Sequence, residues 1–167
     1  MRDQPYDAGS RLIHLSLALL GIAAVASGQF AGDYFNRPHL GFDLHRWLGL
    51  AAGCALLVRL VWGIAGPAAI RFSRWFETHE RLAGAIQAIG LAAFAWMGVT
   101  GALLFAFLDP AVRSPDWLRA VKELHEGGEA VVLAYLALHI GATIAHAIAG
   151  RPVWRRMFSL RGGQERR

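Results

Sequence analysis

Four long apolar stretches, separated by short polar segments, dominate the sequence. They run roughly over residues 12–30, 44–65, 82–108 and 130–148. Each is close to the ~20 residues that a helix needs to cross the hydrocarbon core of a bilayer, and none has the short alternating pattern of a membrane β-strand. We therefore expect an all-α membrane protein. It would be one four-helix transmembrane domain over residues 1–167, with helices at about 11–30, 44–66, 82–108 and 125–149.

The polar segments indicate how the helices begin and end. Gly66-Pro67 is a natural stop for the second helix. A short amphipathic piece is expected around residues 117–124, ahead of the fourth helix. The first apolar stretch has the basic flank and small residues of a signal peptide, but we expect it to be kept as a transmembrane helix.

The composition and the distribution of charge support this picture and orient the chain. Hydrophobic residues make up 55% of the chain and charged residues 17%, whereas a soluble domain usually has about 25% charged residues. Basic residues concentrate on the cytoplasmic side of membrane proteins, so we expect both termini to be cytoplasmic. Of the 17 Lys and Arg residues, that side would hold Arg2, Arg11, Arg59, Arg71, Arg74, Arg81 and the six arginines after residue 150.

The net charge of +5 resides largely in the C-terminal tail, "RPVWRRMFSLRGGQERR". Basic residues beside a membrane-spanning helix bind anionic lipid head groups, and the tryptophan suits the interface. We expect membrane lipid, and not nucleic acid, to be the partner of this tail.

Redox chemistry in this chain would require a cofactor bound without a covalent link. Cys54 is the single cysteine, so the chain has no disulfide, no ligand set for an iron–sulfur cluster and no C-x-x-C-H motif for covalent haem. Hydrolase patterns such as G-x-S-x-G and H-E-x-x-H are also missing.

Four histidines fall at matched depths in the predicted helices. His45 and His125, the outer pair, lie near the outer ends of helices two and four. His14 and His139, the inner pair, lie about 28 and about 25 Å from that boundary at 1.5 Å per residue. His125 and His139 share one helix face, because fourteen residues are nearly four whole turns. Facing imidazoles suit the axial positions of haem iron; the alternative is hydrogen bonding between helices.

Two features leave this site open at the level of the sequence. His146 lies seven residues after His139 on nearly the same face, so it competes for the inner position. Small residues could admit a flat tetrapyrrole or could serve only close helix packing. These residues are Gly49, Gly53, Gly127, Gly128 and Gly141.

Arg59 interrupts the second helix fourteen residues after His45. An arginine at that depth needs an anionic partner, and a haem propionate could supply one through a bidentate contact. The alternative is that its side chain extends to the cytoplasmic head groups. Arg11 and Arg46, beside ligand candidates, could serve similarly or simply lie at the interface.

Three segments carry a family resemblance over nearly the whole chain: "YDAGSRLIH", "LHRWLGLAAGCALLVRLVWGIAGP" and "LHEGGEAVVLAYLALH". They resemble the bacterial cytochrome b561 family of four-helix, di-haem b-type membrane cytochromes, related to hydrogenase cytochrome b subunits. The resemblance implies His14, His45, His125 and His139 as axial ligands of two haems b, in preference to His146. Leu15 departs from the aromatic residue that relatives often carry.

The resemblance also implies a role in the bacterial inner membrane. The expected function is electron transfer between the quinone pool and a periplasmic cytochrome c or dehydrogenase. The chain would act alone, as a homo-oligomer or as a subunit of an oxidoreductase complex. One alternative is a superoxide:ubiquinone oxidoreductase with a cationic outer approach to its haem. Another is a haem-free assembly or interaction protein. The outer cations are Arg37, Arg46, Arg113, Arg119 and Lys122; expected cofactor-binding residues are Arg11, Arg46, Arg59, Gly53 and Gly141.

Overall fold

The computed structural model describes residues 6–31, 40–74, 81–109, 112–151 and 153–158. No strand occurs in these residues, so the expected all-α fold is confirmed. Two single turns of 3₁₀ helix, Ala68–Ile70 and Phe72–Arg74, follow the second helix. The helices are α1 (Ala8–Gly28), α2 (Leu40–Ala65), α3 (Arg81–Phe107), α4 (Asp116–Ile148) and the short α5 (Arg155–Phe158).

Helices α1 to α4 are each long and apolar enough to span a membrane. Their outward faces are apolar: Leu57, Val61 and Ile64 of α2 are 62%, 64% and 73% exposed, whereas Leu118 and Val132 of α4 are almost fully enclosed. Continuous apolar surface of this kind is rare on a soluble monomer. The exterior is therefore matched to lipid, and the four-helix membrane bundle expected from the sequence is confirmed.

Sequential neighbours in the bundle pack side by side, α1 on α2, α2 on α3 and α3 on α4. Glycines allow the closest approaches. The ring of Tyr135 on α4 lies directly against Gly90 on α3, where no side chain would fit. Gly98 on α3 faces Gly53 on α2, since a Cβ atom at Gly98 would lie 4.0 Å from the Gly53 Cα atom. Small residues thus bring α3 close to both of its neighbours.

The first turn of α1 is fixed by a polar cluster. The carboxylate of Asp7 caps the helix by accepting hydrogen bonds from the amide of Ser10, at 2.9 Å, and from its hydroxyl. The indole of Trp62 on α2 donates to the same hydroxyl at 3.0 Å. Partial burial raises the pKa of Asp7, but the bonds from Ser10 more than offset this and hold it below its ordinary value. The cluster therefore joins the start of α1 to the end of α2.

Both ends of the described chain lie on the same side of the bundle. The backbone amide of Tyr6 donates to the carbonyl of Arg156 at 3.1 Å. The Arg156 guanidinium also lies 4.4 Å from the centre of the Tyr6 ring, a cation–π contact. Helix α5 is thus held against the start of α1, as an even number of spans requires.

Helix α4 begins at Asp116, earlier than the sequence indicated. The amphipathic piece expected as a separate segment at residues 117–124 is the first two turns of one helix of 33 residues. No glycine or proline interrupts these turns, and ion pairs between Arg119 and Asp116 and between Lys122 and Glu126 support them. At 1.5 Å per residue the helix is about 50 Å long, so its first turns extend beyond the ~30 Å hydrocarbon core.

Candidate functional site

The structure brings four histidines together as two pairs across the interior of the bundle. In the outer pair, the ring centres of His45 on α2 and His125 on α4 are 6.1 Å apart. In the inner pair, the centres of His14 on α1 and His139 on α4 are 6.3 Å apart. Both partners on α4 lie on one face, about 21 Å apart along the helix axis. Helix α4 thus contributes one imidazole to each pair.

These separations fit an axial pair on one iron. A metal–imidazole bond of about 2.0 Å and about 1.1 Å from that nitrogen to the ring centre give about 6.2 Å between two rings on opposite sides of a metal. The described residues contain no group of three or more His, Cys, Asp or Glu side chains placed to hold a metal ion. Two imidazoles suit haem, because the macrocycle supplies the other four ligands of its iron.

Hydrogen bonds at His45 fix which of its nitrogens is free. Its Nδ1 atom lies 2.9 Å from the backbone carbonyl of Ala24 on α1. A carbonyl can only accept, so Nδ1 carries the proton and the lone pair is on Nε2. The Ser27 hydroxyl, which donates to the same carbonyl at 2.9 Å, lies 3.4 Å from Nδ1. Metal-binding histidines are usually oriented by such a bond from the second nitrogen.

His125 is oriented by a side chain of α3. The hydroxyl of Thr100 donates to the carbonyl of Trp96 at 2.8 Å, so its oxygen is available to accept. His125 Nδ1 lies 2.8 Å from that oxygen and is therefore the donor. Both rings of the outer pair thus present an unprotonated Nε2, the form that binds iron.

Two glycines allow the outer rings to approach their neighbouring helices. A Cβ atom at Gly28 would lie 3.2 Å from the Cε1 atom of His45, and one at Gly101 would lie 3.1 Å from the Cε1 atom of His125. Both distances are shorter than normal carbon–carbon contacts of about 3.5–4.0 Å. A side chain at either position would push the imidazole away from its hydrogen-bond partner.

The inner pair has aromatic and cationic surroundings. The ring of Tyr135, one turn before His139, stacks on it with 5.5 Å between centres and 27° between planes. Phe94 on α3 packs edge-on against Tyr135. No hydrogen bond to either inner imidazole is present in the part of the chain that the structure describes. Packing and not hydrogen bonding therefore positions the His139 ring.

The structure places Arg59 beside this inner pair. Its guanidinium interacts electrostatically with His14 and Tyr135, and its Nη1 atom is buried. It also lies 5.1 Å from the centre of the Phe72 ring. The positive charge of Arg59 is thus partly buried near the inner imidazoles, a position suited to an acidic group of a cofactor.

The other two predicted arginines differ in their surroundings. Arg46 donates to the carbonyl of Phe105 at 3.4 Å, lies 4.7 Å from the centre of that ring and is 4.0 Å from the Asp43 carboxylate. It is therefore held toward the end of α3. Arg11 is partly exposed in the first turns of α1.

The predicted glycines and the competing histidine also have clear positions. A Cβ atom at Gly53 or at Gly141 would meet no atom within 4 Å, and the same holds at Gly49 and Gly127, so the space beside these four glycines is open. Gly128, in contrast, lies against the side chains of Trp96 and Met97 on α3 and serves packing. His146 is exposed in the last turn of α4, and His139, not His146, faces His14.

Sequence reasoning missed the groups that orient the outer pair. The Ala24 carbonyl belongs to the backbone and leaves no trace in the sequence. Thr100 did carry a signal, because a hydroxyl within an apolar membrane helix needs a partner. Tyr135 could have been found by its spacing, since residues four apart stack on one helix face.

Comparison with known proteins gives one match. The family model described as prokaryotic cytochrome b561 matches residues 5–160, nearly the whole chain. Searches of curated proteins and of solved structures found no significant match.

Proposed function

Because the chain belongs to the prokaryotic cytochrome b561 family, we propose that it is a di-haem cytochrome that exchanges electrons between the quinone pool and a periplasmic redox partner. Membership in the family makes the chain a multi-pass protein of the bacterial inner membrane that binds b-type haem and transfers electrons across the membrane. The number of haems, the quinone and the partner are the proposed part.

The proposal rests on the two pairs of facing imidazoles. Each has the separation expected for two axial ligands of one iron, and the outer rings are held with Nε2 free. The two ligand positions on α4 are about 21 Å apart along the axis, roughly two-thirds of the ~30 Å hydrocarbon core. Two haems held there would divide the crossing into short steps.

The haems supply one-electron redox chemistry, and the chain's own residues hold and tune them. We assign His45 and His125 to one haem, and His14 and His139 to the other. Arg59 would hold an acidic propionate of the inner haem. Gly53 and Gly141 would lie against the flat macrocycle. The apolar side chains of the bundle exclude water and ions from the interior.

The orientation of the chain is also a proposal. The start of α1 and α5 lie on one side, and the basic residues near them favour the cytoplasm for that side. The outer pair then lies toward the periplasm, where a cytochrome c or a dehydrogenase would approach. The short segments outside the spanning helices suit a homo-oligomer or a subunit of a larger oxidoreductase complex.

The arrangement of outer charges favours electron transfer over superoxide oxidation. Superoxide would be attracted by a positive field at the outer surface. Of the five cations expected there, Arg37 lies outside the described residues. Three of the other four are paired with carboxylates: Arg46 with Asp43, Arg119 with Asp116 and Lys122 with Glu126. The haem-free alternative loses support because the family binds haem.

Reduction of the haems by quinol tests the quinone part of the proposal. We expect a ubiquinol analogue to reduce the purified protein, and oxidised cytochrome c or a water-soluble redox dye to reoxidise it. Haems that exchange electrons with the water-soluble dye but not with quinol would contradict a quinone role. Superoxide-driven quinone reduction well above the uncatalysed rate would instead support the superoxide:ubiquinone oxidoreductase.

A further inference from the structure

Thr100 is a buried hydroxyl within a membrane-spanning helix, and it contacts one imidazole. Thr100 is only 9% exposed to solvent. The hydroxyl proton is directed to backbone carbonyls of its own helix, Trp96 at 2.8 Å and Met97 at 3.3 Å. Its oxygen is therefore left to accept a hydrogen bond from Nδ1 of His125 at 2.8 Å.

We propose that Thr100 is a positioning residue that tunes the redox potential of the outer haem through His125. The inference rests on the proposed function, in which His125 is an axial ligand. By accepting a hydrogen bond from the Nδ1–H group, the Thr100 oxygen fixes the tautomer and the plane of the ring. It also increases the electron density on Nε2, which makes the imidazole a stronger ligand.

The sign of the effect follows from the charge of the iron. A more basic axial ligand stabilises ferric iron relative to ferrous iron, so the bond from His125 to Thr100 lowers the potential of the outer haem. Removing the acceptor should raise it. Since His45 keeps its own acceptor, the Ala24 carbonyl, only one ligand of the outer haem changes.

The inner pair provides an internal reference. Within the described residues, neither His14 nor His139 has a hydrogen bond to its ring, so no equivalent contact exists there to be altered. A change that acts through the Thr100 hydroxyl should move the potential of one haem and leave that of the other unchanged. A general loosening of the bundle should move both.

Gly101, the next residue, limits how the His125 ring can be placed against α3. A Cβ atom there would lie 3.1 Å from the Cε1 atom of His125, so the ring already lies close to the backbone of α3. Thr100 supplies the acceptor and Gly101 the space, and together they restrict the ring to one position.

The test is redox titration of both haems in the purified full-length protein, after wild-type haem content has been measured. Thr100→Val removes the acceptor and keeps the shape, and Thr100→Ser keeps the acceptor. Thr143→Val is the matched control, because the Thr143 hydroxyl also donates to a carbonyl of its own helix, that of Ile140 at 2.7 Å. Fewer than two haems in the wild type would refute the di-haem assignment itself, independently of Thr100.

We expect Thr100→Val to raise the reduced-to-oxidised ratio of the outer haem about tenfold at fixed ambient potential, equal to about 59 mV for a one-electron couple. In Thr100→Val the potential of the inner haem should be unchanged, and in Thr100→Ser and Thr143→Val the outer haem should keep its wild-type potential. An unchanged potential of the outer haem in Thr100→Val, or equal shifts in the potentials of both haems, would overturn the inference. If Thr100→Val loses the outer haem, Thr100→Ser must retain it at the wild-type potential; loss there too would assign Thr100 to packing alone.

Discussion

Substituting Gly101 by alanine should weaken the outer haem site selectively. The new Cβ atom would lie 3.1 Å from the Cε1 atom of His125, whereas comfortable carbon contacts begin at about 3.5 Å. The imidazole must therefore retreat by about 0.4 Å or more. That movement lengthens its 2.8 Å bond to Thr100 and displaces Nε2 from the axial position.

The expected size follows from the cost of overpacking. Adding one methyl group to a tightly packed site costs about 1–3 kcal/mol. Since 1.4 kcal/mol is a tenfold change in affinity, the outer haem should bind about 5- to 140-fold more weakly. The inner haem, whose proposed ligands His14 and His139 are not among the atoms nearest to Gly101, should be unaffected.

The assay is the rate of haem transfer from the purified protein to an excess of a haem-free globin, followed separately for the two haems by their spectra. Gly9→Ala is the matched control, because its Cβ atom would lie 2.9 Å from the ring of Trp62 and contact no histidine. We expect a faster phase for one haem in Gly101→Ala alone. Unchanged transfer in Gly101→Ala, or an equal effect in both variants, would refute the role given to this contact.

Three further predictions concern other parts of the site and the fold. Arg59→Gln should lower the potential of the inner haem by an amount of order 1 kcal/mol, as expected for a charge lost across about 10 Å of protein. Arg59→Lys keeps the charge and should keep most of the wild-type potential. Redox titration measures both, and an unchanged potential in Arg59→Gln would contradict the placement of this charge. Gly141→Leu should reduce haem content without unfolding the chain, because a Cβ atom at Gly141 would meet no protein atom within 4 Å. Full haem content there, equal to that of an Ala142→Leu control on the exposed neighbour, would argue against a macrocycle at Gly141. Asp7→Ala should cost about 1 kcal/mol of stability through loss of the α1 cap, and Asp7→Asn much less. Because the folded-state pKa of Asp7 is lowered, the charged carboxylate contributes fully to stability above the unfolded pKa of about 3.9, and this contribution is lost as the pH falls through the folded pKa. Thermal unfolding from pH 7 to pH 3 measures the loss. An Asp7→Asn variant with the same pH profile as the wild type would contradict it.

The sequence predicted the two histidine pairs through two simple regularities. A spacing of fourteen residues on one helix fixes a shared face, and equal depth on facing helices indicates which histidines can meet. The structure adds the separations of 6.1 and 6.3 Å. Spacing alone left His139 and His146 in competition, because depth counted from either end of α4 depends on the tilt of the helix. The family resemblance favoured His139, and in the structure His139 faces His14.

Other features could not be read from the sequence for physical reasons. The first turns of α4, from Asp116, are amphipathic, and their charged residues interrupt the continuous apolar pattern that marks a membrane span. The acceptor for His45 is a backbone carbonyl, which every residue possesses. The contact of Gly101 with His125 depends on the crossing of α3 and α4, a tertiary property that spacing along one helix does not encode.

The most direct test of the central claim is the haem-to-polypeptide ratio of the purified protein, measured with the reduced-minus-oxidised spectrum. It should be repeated on single alanine variants of His14, His45, His125 and His139, with His146→Ala as the matched control on α4. We predict two haems b per chain, loss of one haem in each of the first four variants, and two in His146→Ala. A single haem in the wild type, or retention of both haems when a residue of either pair is replaced, would contradict the account.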